Sequence, residues 1–298
     1  LPGIVRIPDN LLAHVPEFPF KPRYRRYGEL RLAHVDEGKG PPVVFIHGEP
    51  TWSFLWRKVI PPIRDAGYRC IAPDLPGFGR SDKPIDLEWY TYDRHTDSMA
   101  RLFAELKLRD ATIVVHDWGG PIGLRIAVEH PEWIGRMVLL DTGLFTGYQK
   151  MTDSWQAFRE LAARSEDLPV AFLLRAGSRS VLSSSVIAAY EAPFPNAAAK
   201  AGARAFPLIL PTSPQMEGAA TGQRVLDALA VDQRPKLIIW GEADPILPIE
   251  AGWRFARAIG ADIDHVIKGV GHYLQEDAGN QVGRMIASWL KRQVPAKR

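Results

Sequence analysis

Ile113-Val-Val-His-Asp-Trp-Gly-Gly120 decides the fold: an apolar run ends at Asp117, two glycines follow, and a helical pattern continues through Ile122, Leu124 and Ile126. A buried strand, a tight turn and a helix in that order make a nucleophile elbow, which lifts one side chain above the end of a sheet. Here that side chain is Asp117, and Gly119 lets strand and helix approach closely. A carboxylate needs no base to remove a proton before it attacks. It therefore suits displacement at a saturated carbon, and it leaves an ester that must then be hydrolysed. Read alone, the same aspartate fits equally well as a cap for the helix beginning at Gly119.

Outward from the elbow, short β-branched runs at residues 43–46, 69–74, 111–116, 137–141, 236–241 and 264–268 read as buried strands bounded by Gly, Pro or Asp. Between and after them, Met99, Leu102, Phe103 and Leu106, and later Val282, Ile286, Trp289 and Leu290, recur at helical spacing. Strand and helix in alternation predict an α/β fold with a mostly parallel central sheet covered on both faces. Residues 143–212 break the alternation, with only short helical patterns separated by prolines. The chain thus divides into a core, residues 1–142 and 213–298, and a helical cap, 143–212, inserted after the sixth strand. Such an insertion covers the crevice at the carboxyl ends of the strands, where ligands bind.

The 298 residues are 46% hydrophobic and 24% charged, which excludes disordered, collagenous and membrane compositions. With 37 Lys and Arg against 34 Asp and Glu, the formal charge of +3 is too small to imply nucleic acid or an anionic membrane as partner. Lys21, Arg23, Arg25 and Arg26 alternate with Pro22, Tyr24 and Tyr27, as on the solvated face of an early strand. The single cysteine, Cys70, fits a reducing compartment and reads as inert packing in a buried strand. No apolar run reaches the roughly 18 to 20 residues of a spanning helix, and the start lacks a basic stretch followed by an apolar one. These features predict a soluble, cytoplasmic protein. The eight histidines show no metal-ligand spacing, so no metal is expected. Gly77 and Gly79 lack the third glycine of a dinucleotide fingerprint and read as a turn, so no cofactor is expected either.

Two more turns join Asp117. His47-Gly-Glu-Pro-Thr-Trp52 follows the first parallel strand and can aim the backbone N–H of Glu49 into the crevice beside that of Trp118, the two donors of an oxyanion hole. Gly269-Val-Gly-His-Tyr273 sets His272 in a glycine-flanked loop after the last strand, where a general base can reach over the sheet. For the acid that orients the histidine, Asp244 and Asp141 compete, both at carboxyl ends of strands. Either way the order along the chain is nucleophile, acid, base.

With these stretches in hand, the sequence resembles the haloalkane dehalogenases of the α/β-hydrolase fold, in the subgroup whose turn reads His-Gly-Glu-Pro. The matching stretches are residues 47–56, 74–82, 116–120, 190–195 and 271–277. The resemblance implies that Asp117 displaces halide, that His272 activates water against the alkyl ester, and that Trp118 donates its indole N–H to the leaving halide. It also selects Asp244 as the acid, although other subgroups carry it where Asp141 stands. The partners implied are a small halogenated substrate, water and halide ion.

One departure matters. The subgroup's second halide-binding tryptophan falls at Phe158 here, with Trp155 one turn earlier on the same helix face, so Trp155 is the candidate second donor. Phe158, Phe172, Leu173 and Leu174 are expected to line the substrate cavity or pack the cap. An epoxide hydrolase using Asp117 and His272 is the alternative, with Tyr148 or Tyr190 to protonate the opening oxygen. A third possibility is a binding protein that keeps the triad without turnover.

Overall fold

The computed structural model describes residues 3–13 and 15–293. The parts of the expected core unit that fall on residues 1, 2, 14 and 294–298 lie outside the described residues.

Eight strands form the central sheet: β1 (Arg23–Tyr27), β2 (Leu30–Glu37), β3 (Pro42–Ile46), β4 (Arg69–Pro73), β5 (Ala111–His116), β6 (Ile134–Leu140), β7 (Lys236–Gly241) and β8 (His265–Ile267). Their spatial order is β1-β2-β4-β3-β5-β6-β7-β8. The first two strands pair antiparallel at one edge, and the other six run parallel. Every expected strand is present within a few residues of its predicted bounds. Arg23, Arg25 and Arg26 of the basic cluster lie on β1, with Arg23 and Arg26 exposed and Arg25 half-buried, while Lys21 precedes the strand, and Cys70 is buried in β4 with its thiol pushed up to about 12 by burial.

Burial explains why the middle strands are continuous apolar runs: all six residues of β5 are buried, which requires cover on both faces. The helices that supply it fall into two packed groups, α1 (Ile60–Asp65) with α10 (Leu274–Gln293), and α2 (Tyr92–Glu105) with α3 (Gly119–Glu129) and α8 (Ala219–Ala230), while α9 (Ile249–Ala258) packs against β7. The predicted stripe of Val282, Ile286, Trp289 and Leu290 is the buried face of α10. Between β6 and α8 come α4 (Asp153–Arg164), α5 (Val170–Gly177), α6 (Ser184–Glu191) and α7 (Ala201–Ile209), an all-helical insertion over the carboxyl ends of the strands. Among the described residues no helix is long and apolar enough to cross a membrane.

The register fixes the site. Strand order reverses around β3, so a crevice opens past the ends of β3 and β5. Ile46 pairs with Val115, and His116 pairs with Leu140, so the turns after β3, β5 and β6 leave the sheet together. A Cβ on Gly119 would stand 2.0 Å from the carbonyl oxygen of Ile46, so the elbow closes only because this residue has no side chain. Gly119→Ala is expected to cost about 3 kcal/mol, because backbone must move, and to lower Tm by roughly 5 °C or more. An unchanged thermal midpoint would refute this account of the turn.

Candidate active site

Asp117 leaves β5 with φ of +50°, a left-handed conformation that costs a residue with a Cβ about 1–2 kcal/mol. Its surroundings hold it there. Its N–H donates to the carbonyl of Asp141 at 3.2 Å, and its own carbonyl accepts from the Thr142 hydroxyl at 2.6 Å. Gly48 gives the side chain room, since a Cβ there would lie 2.2 Å from Asp117 Oδ1. Oδ1 accepts the backbone N–H of Glu49 at 2.7 Å, as the turn sequence predicted, and the N–H of Trp118 also acts on the carboxylate. Burial pushes the Asp117 carboxyl up, but His272, His116 and the Trp118 N–H together pull it below its ordinary value. Oδ2 faces His272 Nε2 at 3.6 Å.

His272 is buried behind the nucleophile. Its Nδ1 donates to Asp244 Oδ2 at 2.7 Å, while Asp244 Oδ1 accepts the N–H groups of Ile246 and Leu247 at 2.7 and 2.9 Å. The turn Asp244-Pro-Ile-Leu thus folds back onto its own aspartate and points the second oxygen at the histidine. Burial lowers the pKa of His272, and the carboxylates of Asp244 and Asp117 outweigh it, leaving the ring well above its ordinary value. Asp141 does not bond to the histidine; its Oδ1 accepts the N–H of Gly241 at 2.9 Å.

The base loop is fastened from several sides. His116 Nε2 donates to the carbonyl of His272 at 2.8 Å. The N–H of His272 donates to the carbonyl of Gly177, in the cap, at 2.8 Å. Asp277 gathers the N–H groups of Gly271, Arg179 and Ser180, at 2.8, 2.9 and 2.8 Å, so loop and cap share one anchor. The local sequence gave no sign of His116 or Asp277 in this role, since both act through backbone atoms of distant segments.

Asp117 and His272 open into a cavity of about 330 Å³ under the cap. Its walls are apolar: Trp155, Phe158 and Leu161 from α4, Phe172 and Leu173 from α5, and Pro207 from α7. Phe172 is 60% exposed and stands at the rim, whereas Leu174 packs inside the cap. Trp118 lines the cavity with its ring stacked on Phe206 of α7, centroids 4.8 Å apart and planes 17° from parallel. Neither indole N–H, of Trp118 or of Trp155, has a hydrogen-bond partner among the described residues. Of the two tyrosines considered for epoxide opening, Tyr148 is 77% exposed and Tyr190 is buried with its hydroxyl donated to Glu276, and neither lines the cavity.

Comparison with known proteins fits this architecture. A family model described as alpha/beta hydrolase fold matches residues 41–279. The haloalkane dehalogenase of Mycolicibacterium paratuberculosis is 40% identical over 294 residues, covering 96% of this chain and 98% of that protein. The chain belongs to the haloalkane dehalogenase family. A second member, from Psychrobacter cryohalolentis, is 35% identical over 298 residues, covering 96% of this chain and 98% of its own. Among solved structures, the tetrameric haloalkane dehalogenase DpaA from Paraglaciecola agarilytica superposes with a TM-score of 0.89 at 32% identity, over 95% of this chain and 97% of that one. Family and constellation together mark a dehalogenase-type hydrolase.

Proposed function

We propose that the protein hydrolyses small haloalkanes to alcohol and halide through a covalent ester on Asp117. The observation that carries this reading is the division of labour at the carboxylate: Oδ1 is held by the Glu49 N–H at 2.7 Å, while Oδ2 faces His272 at the floor of an apolar cavity. In the first step Oδ2 bonds to the substrate carbon as the carbon–halogen bond breaks, and the electron pair leaves with the halide toward Trp118. In the second, water attacks Cγ and His272 Nε2 takes its proton. Negative charge then gathers on Oδ1, between the N–H groups of Glu49 and Trp118. Collapse expels the alcohol oxygen, which takes the proton from His272, and the remaining proton leaves as Asp117 ionises again.

Charge accounting supports the sequence of events. Asp117 raises the pKa of His272 while it is an anion. Alkylation removes that charge, so the ring's pKa falls and its neutral form, the one that can take water's proton, is favoured at the moment a base is needed. Asp244, which accepts the Nδ1–H at 2.7 Å, stabilises the imidazolium. We assign the cap to residues 143–212, the core to the rest, and the site of action to the cytoplasm, the last resting on the lone buried cysteine.

The test is halide release from 1,2-dibromoethane and 1-bromobutane by the purified protein, with diol formation from styrene oxide measured beside it. Halide without diol is the expected result; diol without halide would replace this reading with the epoxide one. We assign Trp155 as second halide donor in place of Phe158. Trp155→Phe is then expected to weaken bromide binding about tenfold, the worth of one charge-assisted hydrogen bond, read as quenching of intrinsic fluorescence. Unchanged binding would leave Trp118 as the sole indole donor.

A further inference from the structure

Asp141 takes no part in the steps above, yet its placement is costly. It stands at φ +31°, a strained conformation for a residue with a Cβ. It is fully buried, and its Oδ2 has no hydrogen-bond partner among the described residues. A carboxyl oxygen of Asp141, one of Asp244 and a ring nitrogen of His272 lie within 4.8 Å of one another. Two carboxyl groups so close and so dry cannot both be ionised. Donors converge on Asp244, which accepts two backbone N–H groups and the Nδ1–H of His272, against the single Gly241 N–H on Asp141.

Resting on the dehalogenase reading, we propose that Asp141 and Asp244 form a one-charge carboxyl pair behind His272, in which Asp141 keeps the proton at rest and takes the charge when Asp244 cannot. Burial first, and Asp244 second, hold the Asp141 carboxyl well above its ordinary value, while His272 and the Gly241 N–H pull it back. The ionisable groups on this cluster are Asp244 and His272 themselves, with Asp117 and His116 on the other side of the histidine ring and Tyr273 beside it. When His272 becomes an imidazolium, one anion must face Nδ1, and either member of the pair supplies it without a change in total charge. Asp141 is therefore a positioning residue: it acts through His272 and touches no substrate.

The test is a double-mutant cycle on the full chain, reading kcat for halide release and the ester on Asp117 by intact mass. Losing the acid of a triad outright costs about 10⁴ in kcat. Asp244→Asn is expected to lose only roughly 10², because Asp141, freed of its anionic neighbour, ionises and faces the ring. Its activity relative to the natural protein should rise with pH as Asp141 gives up its proton. Adding Asp141→Asn should bring the full loss, with ester accumulating, so that Asp141→Asn costs at least about tenfold more in the Asp244→Asn background than alone. Equal cost in both backgrounds overturns the pair. If Asp244→Asn does not fold, infrared difference spectra of the natural protein against Asp141→Asn decide: loss of a protonated-carboxyl C=O band at neutral pH supports the pair, and its absence overturns it. A natural protein that releases no halide and forms no ester fails the dehalogenase reading instead, which the cycle keeps separate.

Discussion

Asp117→Asn is expected to abolish turnover, with halide release falling by at least about four orders of magnitude, the scale seen when a catalytic nucleophile is removed. The argument is one of charge and lone pairs. The carboxylate offers Oδ2 as an anionic nucleophile while the Glu49 N–H holds Oδ1 at 2.7 Å. A carboxamide presents either a neutral oxygen of low basicity or an NH₂ that cannot attack, and cannot form the ester. The substitution is nearly isosteric, so the cavity of about 330 Å³ and its apolar walls stay in place. Substrate should therefore still bind and halide should still quench fluorescence, which separates a chemical lesion from misfolding. Halide release within tenfold of the natural protein would remove Asp117 from the mechanism and with it the whole assignment.

His272→Phe should divide the reaction in two. Displacement needs only Asp117 and a place for the halide, so one equivalent of halide per protein is expected in a burst. Hydrolysis needs a base 3.6 Å from the carboxylate, so turnover should fall by about 10³ to 10⁴ and the ester should persist, visible as the alkyl mass on the intact chain. The pH dependence of the natural protein should divide likewise. His272 is held above its ordinary pKa, so it is protonated at low pH and loses its proton only as pH rises through the raised value. Steady-state kcat, when hydrolysis limits it, should fall toward acid pH as the ring takes up a proton. The burst should survive further into acid, because the Asp117 carboxyl lies below its ordinary value and ionises first. Loss of burst and turnover together in His272→Phe would contradict a covalent alkyl intermediate.

The elbow was legible because its sequence signal is local: an apolar strand, an aspartate, and Gly119 placed where Ile46 leaves no room for a Cβ. His272 and the Glu49 N–H were legible for the same reason, as turns at the ends of strands. The contest between Asp141 and Asp244 was different in kind. Both follow parallel strands, and nothing in either stretch says which carboxyl meets the ring. Pairing of β6 with β7 and the turn that lets Ile246 and Leu247 donate to Asp244 settle which one bonds, and both are properties of the assembled sheet. The cap was legible as an interval without strands, but the facing of its helices was not. Trp155 and Phe158 share the cavity wall, while Phe172 stands 60% exposed at the rim, an outcome of how α4 and α5 settle on the core. Least legible was Glu49. Nothing in its turn points to the side chain, yet both carboxyl oxygens are buried without partners among the described residues, and burial and Asp117 together hold it well above the ordinary carboxyl range.

The hydrogen bond from the His272 N–H to Gly177, with Asp277 clasping Arg179 and Ser180, bears on how such proteins diversify. A cap that shapes substrate choice invites exchange between relatives, since new walls can be brought in without touching the nucleophile. Here the natural seams of that module do not coincide with its functional edges, because the segment after α5 also holds the catalytic base in register. Recombination that replaces this segment without a matching partner for Asp277 trades specificity and catalysis at once. Drift in the walls of α4 and the front of α5 leaves the clasp intact, and that is where sequence variation can accumulate at little cost to the chemistry.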